Sequence, residues 1–367
     1  METLPIGARV RALHGRCSSV ALASGLACDH DASMLPWLTP LWNPLGGHYW
    51  TLRPFASRRQ LARRFAWAAV REASGAELPR PWSVRVTDER WGTVRLSGQL
   101  HAVAGATSVL LNLHGLGGNS ESIYLEAGVA AAAALGWSCL RLNMRGADGS
   151  GEDFYHAALT ADLHAALASP ELAGFEHVYV LGHSLGGHLA LRLASEAHDP
   201  RVRAVAAVCS PLDLARSVAA IDQPRRWLYR RYVLQKLKAS YVEVARRRAL
   251  ATPLERVLRV RALREWDRLT VVPRFGFESG EDYYARASVA GRLDLLDVPT
   301  LLVNTEHDPM VPSDTVRPAL LAAGPKLDVR WLRTGGHVGF PLDVDLGERA
   351  PRELLPQILS WLANAPR

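Results

Sequence analysis

The chain is 367 residues long, more than the roughly 100 to 200 of an ordinary domain, although α/β cores often run longer as one unit. At 48% hydrophobic and 22% charged, with 29 Gly, 22 Pro and 11 Trp, it excludes a disordered, collagenous or coiled-coil protein and must bury a core. A formal charge of +7 would suit nucleic acid, an anionic membrane surface or acidic ligands only if the excess were concentrated somewhere.

No run approaches the roughly 18 to 20 apolar residues of a membrane span. Residues 1–41 read as an N-terminal arm. Within it Arg9, Arg11 and Arg16 precede the mildly apolar Val20–Leu26 and Ala27-Cys28, a loose imitation of a secretory signal that Ser24 and Gly25 interrupt. Four cysteines in so long a chain make no disulfide scaffold, and Cys139 and Cys209 lie in apolar strand-like runs, so a reducing compartment, the cytoplasm, is expected.

Three strand-like runs follow, around Ser83–Thr87, Thr93–Gln99 and Ser108–Leu113, and suggest an antiparallel opening. Apolar runs at Trp137–Leu142, His177–Leu181, Ala204–Cys209, Thr300–Val303 and Asp328–Leu332 then alternate with helical patterns near 121–135, 155–168, 185–197, 313–323 and 351–363. Fully apolar strands separated by helices predict a mostly parallel, eight-stranded α/β sheet with helices on both faces.

The alternation stops between residues 211 and 298, which read as a helical cap inserted after the sixth strand. The core is thereby divided into 42–210 and 299–367. Within 224–268 fourteen Arg and Lys stand against four Asp and Glu, so the basic excess is localised. On Arg225–Leu250, Trp227, Leu234, Leu237, Tyr241 and Val244 recur at about helical spacing between basic residues, the pattern of a basic amphipathic helix able to touch an anionic membrane surface peripherally. A solvated charged face is the plainer reading. No zinc-type spacing, P-loop, dinucleotide fingerprint or nucleic-acid module accompanies the charge, so no nucleic-acid partner is expected.

The chemistry concentrates in Val178–Gly187, where an apolar strand runs into Gly182-His-Ser184-Leu-Gly186 and then into a helical run. A serine hydroxyl barely ionises near neutral pH, so it must be lifted onto a sharp strand-to-helix turn where a base can reach it, with glycines removing the side chains that would collide. Ser184 is the candidate nucleophile. An oxyanion needs preorganised N–H donors, and the backbone amides of Leu185 and of Leu116, in the turn His114-Gly-Leu-Gly-Gly118, are the candidates. His114 is expected to brace that turn.

Asp308, fixed by Pro309 and Pro312 after a later strand, is the preferred acid, with Asp213 in Ser210-Pro-Leu-Asp213 as its rival. His337, on the Gly335-Gly336 loop past the final strand, is the candidate base. His183, His188 and His307 read as packing or loop residues. The order Ser184, Asp308, His337 is that of an α/β-hydrolase.

With these residues in place the chain resembles the α/β-hydrolase superfamily, and within it the YheT-like branch of predicted esterases and lipases. The narrower resemblance rests on Gly46-Gly-His-Tyr-Trp-Thr-Leu52, Asn143-Met-Arg-Gly146, Phe154–Leu163 and Tyr283-Tyr-Ala-Arg-Ala-Ser288. Tyr49 and Trp50 depart from the branch's usual Leu-Gln pair, and 220–280 is richer in arginine. The resemblance implies hydrolysis of a small-molecule or lipid carboxylic ester, with no metal or organic cofactor; acyl transfer or thioester cleavage by the same three residues is the alternative, which the sequence does not separate. Arg145 is expected to pin the loop after its strand, and Tyr283, Tyr284 and Arg286 to lock the end of the insert onto the core.

Overall fold

The computed structural model describes residues 10–12, 44–56 and 77–366. Apart from residues 10–12, the arm, with its signal-like run and Cys28, lies outside the described residues. Among the described residues nine strands form one sheet: β1 Val10–Ala12, β2 Arg80–Asp88, β3 Gly92–His101, β4 Ser108–Leu113, β5 Ser138–Asn143, β6 His177–His183, β7 Val202–Val208, β8 Thr300–Thr305 and β9 Leu327–Leu332, in the order β1-β9-β8-β7-β6-β4-β5-β3-β2. Eight are those marked by the sequence. The ninth, β1, adds itself parallel to β9 at the edge.

β2 and β3 pair antiparallel, and β3 pairs antiparallel with β5, whereas β4 to β9 run parallel. Every residue of β4, β5 and β8 is buried, because helices cover both faces. The first helix, α1 (Pro44–Ala56), precedes the sheet proper. α2 (Ile123–Ala134), α3 (Ala161–Leu167) and α4 (Leu185–Ala194) follow β4, β5 and β6. Leu163, Leu167, Leu189 and Leu191 pack on Leu111 and Val180 across one face. On the other, Val129 and Ala132 of α2 meet Leu110, Leu181 and Leu301.

Between β7 and β8 come α5 (Leu214–Ile221), α6 (Trp227–Ala245), α7 (Leu254–Leu258), α8 (Leu263–Leu269), α9 (Val271–Phe275) and α10 (Gly280–Ala287); α11 (Leu354–Asn364) closes the chain against α2. The cap has its own core, in which Tyr229, Val233, Leu237, Tyr241 and Val244 of α6 meet Trp266 of α8. Trp227 departs from the expected buried seam: it is 54% exposed, on a first turn that Tyr229 anchors inward instead. The helix expected over 155–168 is also shorter, Ala161–Leu167, because residues 154–159 are irregular, with a turn at 157–158, and bond elsewhere. The Ala157 N–H, for example, donates to the Tyr283 hydroxyl at 3.0 Å.

Cap and core are joined by buried charge. Arg145, just past β5, donates to both oxygens of Asp162, to Asp88 at 2.6 Å and to Asp153 at 3.1 Å. Arg274 of α9 reaches the same Asp153 through two donors and stacks 3.7 Å from the Trp91 ring centroid. Each guanidinium brings planar, paired donors that satisfy carboxylates burial would otherwise penalise. Tyr284 donates to Asp267 at 2.7 Å, and His188 of α4 lies 2.8 Å from the Pro211 carbonyl and 2.9 Å from that of Ala287, at the two ends of the insert. No helix among the described residues is long and apolar enough to cross a membrane.

Candidate active site

β6 delivers Ser184 directly into α4. Its backbone adopts φ 53° and ψ −119°, a conformation costly to a residue bearing a Cβ, and the surroundings enforce it. The Ser184 N–H donates to the Val208 carbonyl at 2.7 Å, and its own carbonyl accepts from His188 N–H at 3.0 Å. A Cβ on Gly182 would lie 2.2 Å from the Gly186 carbonyl oxygen, and one on Gly186 would lie 2.5 Å from that of His114. Only glycine fits at either place, and the hydroxyl is left projecting above the carboxyl ends of the strands.

Two loops meet it there. Asp308 follows β8, and its Oδ1 accepts from the Met310 and Val311 amides at 2.8 and 2.9 Å, an arrangement created by the turn that Pro309 and Pro312 enforce. Its Oδ2 lies 2.8 Å from Nδ1 of His337, whose Nε2 lies 2.9 Å from Ser184 Oγ. A carboxylate against Nδ1 assigns the ring proton to that nitrogen and leaves Nε2 free to accept the serine proton. Asp213 stands elsewhere. It caps α5, its side chain accepting from the Arg216 N–H at 3.0 Å.

The turn after β4 closes over the same point. Gly115 N–H donates to the Tyr124 hydroxyl at 3.0 Å and Gly117 N–H to the Tyr155 hydroxyl at 2.8 Å. Leu116 N–H, between them, has no acceptor among the described residues. Leu185 N–H opens α4, where a first-turn amide finds no intrahelical acceptor. The two tyrosines were not singled out from the sequence as turn holders, although Tyr155 lies within Phe154–Leu163; no local pattern announces a hydroxyl whose partner is a distant amide. His114 braces the turn: its Nε2 accepts from Met144 N–H at 3.0 Å, so Nδ1 donates to the Gly115 carbonyl at 2.8 Å, and burial lowers its pKa to about 4. Burial likewise lowers His183 to about 3.

Cys209, Asp308 and His337 offer ligand atoms within 4.8 Å of one another. They suit a metal poorly: His337 Nδ1 and Asp308 Oδ2 are bonded to each other, and burial pushes the Cys209 thiol up, away from the thiolate a metal needs. A cavity of about 910 Å³ opens over Ser184 and His337. Its walls are mainly apolar, with Leu116, Ile123 and Phe340 from the core and Val218, Ile221 and Val233 from the cap. α6 presses on the turn itself, since a Cβ on Gly117, at φ +75°, would meet Lys236 Cβ at 2.9 Å.

The family profile described as alpha/beta hydrolase fold matches residues 108–343, and the chain belongs to that superfamily of hydrolases. Within it the chain falls in the YheT-like branch: it is 28% identical over 304 residues to YheT of Escherichia coli (strain K12), named as a candidate esterase, covering 80% of this chain and 84% of the relative. It is also 26% identical over 251 residues to phospholipase ABHD3 of Mus musculus, spanning 65% of this chain and 59% of the phospholipase. Among solved structures, esterase Pf2001 of Pyrococcus furiosus aligns with a TM-score of 0.47 and 17% identity, over 73% of this chain and 87% of that one.

Proposed function

We propose that the protein is a serine esterase that cleaves carboxylic esters through an acyl-enzyme on Ser184. The observation that carries this reading is the continuous hydrogen-bonded line from Asp308 through His337 to the Ser184 hydroxyl, opening on an apolar cavity. His337 takes the serine proton as Oγ attacks the carbonyl carbon, and the amides of Leu116 and Leu185 receive the developing oxyanion. Asp308 holds the imidazole tautomer and stabilises its cation. The proton passes to the leaving alcohol, and a water activated by the same imidazole releases the acid. A cavity of about 910 Å³ with mainly apolar walls suits an acyl chain rather than a polar acid.

Ser184→Ala is expected to remain folded, to lose labelling by a fluorophosphonate probe, and to lose turnover of p-nitrophenyl acyl esters. Undiminished labelling would end the assignment. Transfer of the acyl group to an alcohol in place of water is a second reading, favoured by a 28% identical relative over 193 residues in Saccharomyces cerevisiae (strain ATCC 204508 / S288c) named as an ethyl ester synthase/esterase. The products of the same assay run with added ethanol, free acid or ethyl ester, separate the two.

A further inference from the structure

The segment Gly46–Leu52 forms the first turns of α1 and has no part in the acyl-transfer chemistry above. We propose that it is a clamp for the two triad loops and that Thr51 is a positioning residue for His337, an inference that rests on the serine-esterase reading.

The base loop carries unusual backbone on both sides of the imidazole. Gly335 sits at φ +142° and Val338 at φ +51°, so His337 is flanked on both sides by backbone outside the ordinary basins. Within the loop Gly336 N–H donates to the Gly339 carbonyl at 2.8 Å. The buried amide of His337 itself donates to Thr51 Oγ1 at 2.8 Å, across 286 positions of sequence. The Thr51 hydroxyl donates in turn to the Gly47 carbonyl at 2.7 Å, so its proton is committed within the helix and its lone pair is turned toward His337. A hydroxyl fixed in this way offers the catalytic loop one acceptor in one direction.

The rest of the turn is shaped to the same end. A Cβ on Gly336 would lie 2.2 Å from the Gly47 carbonyl oxygen and 2.4 Å from Thr51 Oγ1, so loop and helix touch backbone to backbone. A Cβ on Gly47 would lie 1.8 Å from the carbonyl oxygen of His307, the residue before Asp308. One helical turn therefore abuts the acid loop through Gly47 and the base loop through Thr51. Its next residue, His48, places Nδ1 2.6 Å from the Tyr229 hydroxyl of the cap. Loss of the Thr51 hydroxyl would strand a buried N–H and let His337 drift, and a reacting group displaced by about 1 Å can cost about a hundredfold in rate.

The test uses full-length protein, p-nitrophenyl butyrate turnover, and the rate of fluorophosphonate labelling. Thr51→Val is nearly isosteric but lacks the hydroxyl, Thr51→Ala removes it without the added branch should valine disturb folding, and Thr51→Ser keeps it. We expect valine and alanine to lower kcat at least about tenfold, to slow labelling in parallel, and to leave KM within about twofold; serine is expected to restore kcat to within about threefold. Wild-type kcat in both hydroxyl-free variants would overturn the proposal, as would an equal loss in Thr51→Ser. A raised KM at unchanged kcat would also overturn it, reducing Thr51 to a wall of the cavity it also lines. Ser184→Ala, run alongside, separates the two levels: if it is inactive while Thr51→Val is not, positioning alone fails, and if it stays active the esterase reading itself fails.

Discussion

Asp308 and Asp213 each follow a strand of the parallel sheet, and what their carboxylates accept separates them. Asp308 takes two loop amides on one oxygen and His337 on the other, whereas Asp213 spends its side chain on a helix cap and an ion pair with Arg216 at 3.3 Å. Asp213→Ala is therefore expected to cost about 1 kcal/mol of stability, the usual worth of an N-cap, and to leave ester turnover within about twofold. Urea unfolding and the butyrate assay check both halves, and a loss of rate in the hundreds would return Asp213 to the site. At this scale the glycines around Ser184 are legible because the strain of the turn dictates them locally. Tyr124, Tyr155 and Thr51 are not, since each acts through one hydroxyl on a backbone amide that no sequence period connects to it.

Strands were the most legible elements. β4, β5 and β8 are buried along their whole length, so they carry unbroken apolar runs, and the hydrophobic pattern reports that burial directly. The cap shows the limit of such patterns: the period over 227–244 locates a helix with a buried face but not which end overhangs, and Trp227 and Leu228 stand 54% and 46% exposed. Part of the basic charge turns inward. Arg226 donates to the Pro309 carbonyl, Arg230 to that of Asp222 and Lys238 to that of Val260. We propose that the exposed first turn of α6, with Arg225 and Arg231 beside Trp227 and Leu228, rests weakly on anionic bilayers. Sedimentation with phosphatidylglycerol vesicles at low ionic strength should carry the protein down, and Leu228→Glu should release it; equal recovery with phosphatidylcholine vesicles, or none with either, rejects the contact.

Acid tolerance belongs to the whole molecule, because its buried imidazoles are spread across core and cap contacts. Burial lowers His114 to about 4, and His156 and His183 to about 3, from an ordinary value of 6.5. The unfolded chain therefore takes up protons near pH 6.5 that the folded one refuses, and stability falls from there down to about pH 3 to 4. Asp267 opposes this, since burial raises its carboxyl from 3.8 to about 7, a contribution complete at acid pH and lost as pH rises through 7. Burial also lowers His48 and His188 and raises Asp162 and Glu348, so the five lowered imidazoles outnumber the three raised carboxylates and give the sign. The urea midpoint should be lower at pH 5 than at pH 7 with an unchanged m-value, and an equal or higher midpoint at pH 5 would contradict the linkage.

The grip of Thr51 on His337 also bears on synthesis. Ser184 and its glycine turn leave the ribosome while the partners of that serine are still being decoded, and α1, translated long before them, has no loop to hold until residue 337 emerges. On the serine-esterase reading a nascent chain would therefore stay catalytically silent until residue 337 has emerged, and a product cut short before it would carry Ser184 with no imidazole to take its proton.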